Sequence, residues 1–410
     1  STQQRTLFPY TTLFRSDGVE KAKSGHPGMP MGTADIAVTL FLKHLKYDPA
    51  DPAWPDRDRF VLSAGHGSML IYSLLHLAGY DLPLDELKRF RQLDSRTPGH
   101  PEHGLTPGVE TTTGPLGQGC GNAVGMALAE AMLAARFNRD GFPVADHRTW
   151  VIAGDGDLME GVSHEAFSLA GHLGLHKLVV IYDCNRITIE GKTDLAYSDD
   201  ARRRFEGYRW NVLEIDGHDF GQIEAALAAA EVSTDRPTLI IAHTHIAYGA
   251  PRAHDTAEAH GAPLGAEEIR GAKTALGLPP DQEFFVDDAV RDLFAARARE
   301  NAARRAQWKA MFRRYREAHP DLAAAWDAAM TGTLPADLDA RLPAFDPAKL
   351  VATRSASGKT LQELAKAVPF LVGGSADLAP STNTYLNGLG SIAAGDRKST
   401  RLNSSHSLLS

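Results

Sequence analysis

Two short stretches of the chain end in residues suited to holding a cation. Residues 149–160 read TWVIAGDGDLME and residues 179–187 read VVIYDCNRI. Each begins as a brief apolar run with β-branched residues, the pattern of a buried strand. Each run stops in small, acidic or amide residues: Gly154, Asp155 and Gly156 in the first, Asp183, Cys184 and Asn185 in the second. Ligands of open parallel sheets bind outside the carboxyl ends of strands, so oxygens from two strand ends can meet on one ion. Asn185 follows Gly154 by 31 positions (185 − 154), enough for one crossover helix. Asp155 and Asn185 would each give a side-chain oxygen and Ile187 a backbone carbonyl. Diphosphate oxygens and water would complete the octahedron that Mg²⁺ prefers. Gly156 would let a large anion approach the backbone. The competing reading is a pair of satisfied turn caps.

Four histidines sit in similar Gly/Pro-containing loops: His26 in SGHPG, His66 in AGHGS, His100 in GHPE and His260 in AHGAP. A lone loop histidine is usually only solvated, but four in like settings suggest one pocket in which imidazoles pass protons or bind hydroxyls near neutral pH. His172 and His176 have the i,i+4 spacing of a zinc pair, yet Gly171 and Gly174 break the helix they need, so they read as structural. Glu160 and Glu165 follow the cation loop, either as a solvated helix start favoured by the dipole or as a proton link between two sites.

These residues need a scaffold. Strands at 59–62, 150–153, 178–182, 210–215 and 238–242 alternate with helices at 69–78, 121–138, 163–173 and 220–230. Helices are also expected at 17–23, 33–45 and 84–93. The alternation predicts an α/β fold, a parallel sheet with helices on both faces. Residues 95–121 form a long Gly/Pro/Thr-rich loop, read as functional because it carries His100, His103 and GPLGQG. Residues 287–331 read as a charged surface helix pair and linker. The domain reading is then 17–333 for the first domain, 334–349 for a Pro-containing linker, and 350–396 for the start of a second, incomplete α/β domain. That domain has a helix at 352–367 and a strand at 369–372, and it stops after one strand and one loop. Residues 1–16 lack clean helical or strand periodicity and residues 397–410 are a Ser-rich tail; both read as foreign to the body of the chain.

Composition narrows the class. The chain has 410 residues, 43% hydrophobic and 23% charged, with a net charge of −8 and no long basic cluster, which argues against a nucleic-acid partner. No apolar run approaches the roughly 20 residues that span a bilayer, so no membrane is expected. Two cysteines, Cys120 and Cys184, suit a reducing compartment, read as cytoplasmic.

The motifs SGHPGMPMG, LSAGHGSML, TPGHPE, TTGPLGQG, GDGDLMEG, the Asn185 region, AHGAPLG and GGSADLAPST together resemble the transketolase family, in order, over residues 17–396. The resemblance implies a thiamine diphosphate-binding fold and a homodimeric, three-domain enzyme. Such an enzyme moves a two-carbon ketol unit from a ketose phosphate to an aldose phosphate in the pentose phosphate pathway. It implies that Asp155, Asn185 and the Ile187 carbonyl hold Mg²⁺, Ca²⁺ or another divalent cation. It places His66, His260, Gly156 and Asn185 on the cofactor diphosphate, and Gly114, Pro115 and Leu116 against its rings. His26, His100 and His260 would hold sugar hydroxyls and move protons, Arg354 and Ser381 would bind a substrate phosphate, and Glu160 and Glu165 would link protons across an interface. Cys184 and Arg186 depart from many members without removing the metal site.

The resemblance also implies that an essential glutamate of the second domain lies beyond residue 396. The expectation is therefore a fragment that supplies the diphosphate half of the site and does not by itself turn over xylulose 5-phosphate with ribose 5-phosphate. The alternatives are a non-catalytic cofactor-binding half of a split ketol-transferring enzyme, and a formaldehyde-using relative.

Overall fold

Five apolar runs form the expected parallel sheet. The computed structural model describes residues 9–399 and 401–404. Strands β1 (Arg59–Leu62), β2 (Thr149–Gly154), β3 (Leu178–Cys184), β4 (Asn211–Asp216) and β5 (Thr238–His243) lie in the order β1-β2-β3-β5-β4, every pair parallel. The three central strands β2, β3 and β5 are buried along nearly their whole length, as apolar runs covered on both faces must be. Edge strand β4 is half exposed.

The helices that position the site are α1 (Pro9–Ala22), α2 (Gly28–Gly32), α3 (Met69–Ala78), α4 (Gln118–Phe137), α5 (Asp155–Met159), α6 (Gly161–Leu173), α7 (Phe220–Glu231) and α8 (Glu258–Gly261). Three more follow: α9 (Asp288–Ala318), α10 (Pro320–Thr331) and α11 (Thr353–Ala367). Helix α6 ends at Gly174 in the left-handed conformation, φ 63°, a common helix stop. The main core joins Trp150, Ile152, Val179, Ile181 and Ile240 of the sheet to the apolar face of α3.

The chain divides into two compact units. One comprises residues up to Leu128 with His147–Gln307, and holds the five-stranded sheet. The other comprises Ala129–Asp146 with residues from Trp308 onward. Its core packs Phe137, Val144, Phe312, Tyr315 and Trp326, with the Tyr315 hydroxyl donating to the Phe137 carbonyl at 2.7 Å. The helix pair expected as a solvated surface therefore buries an aromatic face. Among the described residues no helix is long and apolar enough to cross a membrane.

Several expectations need correction. Residues 1–8 lie outside the described residues, but from Pro9 the chain is helical without a break to Ala22. Tertiary contact supplies what periodicity lacked. Asp17 is buried in an ion pair with Lys273 at 2.7 Å and accepts from the Phe284 backbone at 2.7 Å, and Val19 joins the main core. The helix expected over 33–45 is α-helical over Ala34–Thr39 and a π-helix over Leu40–His44. The helix expected over 84–93 ends at Lys88 and gives way to turns.

In the second unit the strand is not 369–372 but β6 (Gly373–Ala376), and it does not stand alone. It pairs in parallel with β7 (Arg401–Ser404), inside the tail read as foreign. Proline at 369 offers no ladder N–H, and pairing begins at Gly373. Residues 400 and 405–410 of that tail lie outside the described residues.

Candidate active site

The ends of β2 and β3 lie level. Gly154 is in register with Asp183, and Asp183 with Ala242 of β5, so the residues after each strand open on one edge of the sheet. Asp155 begins α5 and is buried. Its Oδ1 accepts from the Tyr182 hydroxyl at 2.5 Å and its Oδ2 from the Arg186 backbone N–H at 3.0 Å. Arg186 has φ 61°, a left-handed turn that strains a non-glycine residue and aims that N–H back at Asp155.

Asn185 Oδ1 accepts from the Ile187 N–H at 2.9 Å, and its Nδ2 donates to Asp183 Oδ2 at 3.0 Å. The Thr244 hydroxyl donates to the other Asp183 oxygen. Among the described residues no Lys or Arg side chain neutralises Asp155 or Asp183. Burial pushes Asp155 up to about 6. Burial, helped by the Asp155 charge, pushes Asp183 up to about 7. Two adjoining carboxyls short of positive charge, with an amide oxygen beside them, are an oxygen-rich donor set of the kind that suits Mg²⁺ or Ca²⁺.

A cavity of about 310 Å³ opens on these strand ends. His26, His66 and His260 line it together with Leu116, Gly156 and Asp155. The ring centroids stand 5.1 Å apart for His26 and His66, 5.6 Å for His26 and His260, and 4.8 Å for His66 and His260. Burial first, and then the neighbouring imidazoles, hold His26 down to about 4 and His66 well below its ordinary value. Burial also lowers His260. At neutral pH each ring is uncharged and offers one donor and one acceptor. His26 Nδ1 is buried without a hydrogen-bond partner among the described residues.

Close backbone approach assembles this cluster. A Cβ on Gly28 would stand 2.5 Å from the Ala259 carbonyl oxygen, so α2 lies directly against the segment bearing His260. A Cβ on Gly65 would meet Thr113 Oγ1 at 2.6 Å, which seats the His66 turn under the GPLGQG loop.

The remaining expected residues divide. Gly114 and Leu116 line the cavity; Pro115 between them is exposed. Ile187 and Glu160 line it as well, and Glu165 lies farther along α6, half-buried. His100 is exposed and not part of the lining; its ring lies against Gly114, where a Cβ would be 3.4 Å away, and burial together with the Arg91 charge lowers it. Arg354 and Ser381 belong to the second unit, where both are exposed. His172 is on α6 and His176 lies beyond its Gly174 stop, so they share no helical face.

Asp157 was missed, although it is the second acid of the GDGD string. It is fully buried, and its Oδ1 accepts from the Gly117 N–H at 2.8 Å and the Ser63 hydroxyl at 2.7 Å. Its Oδ2 accepts from the Gly154 N–H at 2.9 Å. One carboxylate thus ties the ends of β1 and β2 to the GPLGQG turn. Tyr182 gives no signal at the end of an apolar run, and Asp183, one of the residues that close the second strand, has no ligand role in the sequence reading.

Known proteins share this fold. The family described as transketolase, thiamine diphosphate binding domain, matches residues 4–335. The transketolase of Geobacillus stearothermophilus is 52% identical over 378 residues, which is 92% of this chain and 57% of that protein. The chromosomal transketolase of Cupriavidus necator is 55% identical over 375 residues, 90% of this chain and 56% of that protein. The structure of transketolase from Leishmania mexicana superposes with a TM-score of 0.95 at 44% identity, covering 98% of this chain and 60% of that one. A Pichia stipitis transketolase in complex with sedoheptulose 7-phosphate gives 0.95 at 42% identity, with the same coverage. The chain thus spans a little under three fifths of the length of the curated relatives named here. With a family match over most of its length and a fold that superposes on solved members, the chain belongs to the transketolase family.

Proposed function

We propose that this chain forms the cofactor-diphosphate half of a transketolase that transfers a two-carbon ketol unit from a ketose phosphate to an aldose phosphate. The observation that carries this reading is the meeting of Asp155 and Asn185 with three uncharged imidazoles in one cavity at the strand ends. The unneutralised Asp155 and Asp183 carboxyls and the unpartnered His26 Nδ1 fit a bound divalent cation and a polar ligand.

Asp155, Asn185 and the Ile187 carbonyl would hold Mg²⁺ or Ca²⁺, and His66, His260, Gly156 and Asn185 would face the diphosphate of thiamine diphosphate. Gly114, Pro115 and Leu116 would support its rings. When bound, the cofactor supplies the carbon nucleophile that takes up and releases the two-carbon unit. The protein's part is positioning and proton handling. His26, His100 and His260 would hold sugar hydroxyls, each uncharged ring accepting a hydrogen bond at one nitrogen and donating at the other, and a ring that takes up a hydroxyl proton becomes an imidazolium that can return it. Arg354 presents a forked guanidinium and Ser381 a hydroxyl to a substrate phosphate. The reading takes 17–333 as the diphosphate-binding domain, 334–349 as linker and 350–396 as part of the next domain. It includes a cytoplasmic homodimer in which Glu160 and Glu165 link protons between sites.

The test is a coupled kinetic assay on the protein extended to the length of its relatives. Thiamine diphosphate-dependent transfer from xylulose 5-phosphate to ribose 5-phosphate is expected. Cofactor binding without such transfer, or transfer to formaldehyde alone, would overturn the assignment.

A further inference from the structure

Away from the cavity, the loop after β5 brings together a second set of ligand-type side chains. His245 follows the strand end by two positions, and His254 and Asp255 close the loop. His245 Nδ1 lies 2.8 Å from Asp255 Oδ2, and His254 Nε2 lies 3.4 Å from the same oxygen. One ligand atom from each of the three residues falls within 4.8 Å of the others. Around a tetrahedral Zn²⁺ with bonds of about 2.0–2.2 Å, ligand atoms stand roughly 3.3–3.6 Å apart, so small side-chain rotations suffice to close this set on one ion.

The backbone beneath is already fixed. The Asp255 N–H donates to the Ile246 carbonyl at 3.1 Å, with Asp255 in the left-handed region at φ 56°. Glu268 accepts from the backbone N–H groups of Arg252 and Ala253 and buries its carboxylate under the loop. His245 has its own support. Its ring stacks on His218 at 5.7 Å, and its backbone N–H donates to His218 Nε2 at 3.2 Å. His218 Nδ1 in turn lies 3.1 Å from Asp35 Oδ2. These contacts hold the His245 backbone and limit where its ring can lie.

We propose that His245, His254 and Asp255 bind one borderline divalent cation of the Zn²⁺, Co²⁺ or Ni²⁺ class, with water in the open position. Two imidazoles and one carboxylate select these ions over Mg²⁺ and Ca²⁺. The ion pins loop 246–255 to the end of β5. Because His260 lies five positions after Asp255 (260 − 255), it also steadies the approach to α8.

The test is calorimetric titration of Zn²⁺ into the 410-residue chain in excess Mg²⁺, which fills oxygen-only sites. One equivalent of Zn²⁺ is expected to bind, with affinity falling at least tenfold in both His254→Ala and Asp255→Asn. Both positions are solvent-accessible, and asparagine tolerates the left-handed turn, so each variant keeps its far-UV circular dichroism. Co²⁺ added to the wild type should give the visible absorption of a low-coordinate imidazole site, lost in the same variants. No Zn²⁺ binding by the wild type, or equal affinity and stoichiometry in both variants, would overturn the assignment, the latter placing the ion on the cavity histidines instead.

Discussion

Replacing Asp157, buried in the wall of the cavity, probes the scaffold that positions the site. The carboxylate accepts from Gly117 N–H, Gly154 N–H and the Ser63 hydroxyl. In Asp157→Ala both amides lose their acceptor, while Ser63 keeps Cys120 Sγ within 3.4 Å. An orphaned buried donor costs about 1–3 kcal/mol, and Gly154 is only partly buried, so the expected loss is about 2–4 kcal/mol. Asp157→Asn keeps the shape and one oxygen but turns an NH₂ toward one of the donors, a loss of about 1–3 kcal/mol. Burial holds the Asp157 carboxyl above the usual range, so removing its charge offsets part of that cost and puts the asparagine variant at the low end. Urea midpoints should fall in the order wild type, Asn, Ala. Hydrogen exchange should show protection lost at Gly117 and Gly154 together in Asp157→Ala. Retention of both protected amides in that variant would refute the three-loop role of this carboxylate.

Two other outcomes are expected. A Cβ on Gly156 would meet only Leu116, at 2.9 Å from its flexible Cδ1. Gly156→Ala should therefore fold with equal or up to about 1 kcal/mol greater stability, as alanine is the better helix former, while its affinity for thiamine diphosphate with Mg²⁺ drops about tenfold or more, about 1.4 kcal/mol; unchanged affinity by calorimetry would remove Gly156 from the diphosphate contact. The second outcome concerns pH. His26, His66 and His260 all titrate below the 6.5 of an ordinary histidine, so below that pH the unfolded chain binds more protons than the folded one. The share of stability tied to these rings, present above about pH 6.5, should be lost as pH falls toward 4, the value held by His26, while Asp155 and Asp183, held up to about 6 and 7, act in the opposite direction. The His26 shift alone would be worth about 3 kcal/mol, reduced to about 1–2 kcal/mol by solvent access to the ring. Relative to wild type, His26→Asn should gain in unfolding midpoint as pH falls from 7.5 to 4.5, and a difference that does not change with pH would refute this.

Much of the site was legible because its carriers are local. An apolar run ending in Gly-Asp-Gly reads as a strand end from composition alone, and strand ends of a parallel sheet share an edge. Three of the four loop histidines do converge. His100 lies beside them against Gly114 without lining the cavity, a distinction set by how residues 95–121 fold back. Other features depend on tertiary context. Asp157 looks like a helix-start acid until the Ser63 and Gly117 loops close over it. Arg186 gives no sign in sequence that its backbone turns left-handed to reach Asp155. Helix α1 reaches back to Pro9, ahead of the 17–23 that the sequence suggests, with Asp17 and Val19 anchored by distant partners. The pairing of β6 with β7 could not be read from GGSA and RLNS, neither of which carries strand patterning. His245, His254 and Asp255 have no periodic spacing, and only the loop joins them.

The central claim is that the Asp155 carboxylate holds the cation that carries the cofactor's diphosphate. Calorimetric titration of thiamine diphosphate into the chain with Mg²⁺, comparing wild type with Asp155→Ala, tests it most directly. The account predicts Mg²⁺-dependent binding in the wild type, abolished by chelation and absent from Asp155→Ala. Equal affinity in the two proteins, or wild-type binding that survives chelation, would contradict it.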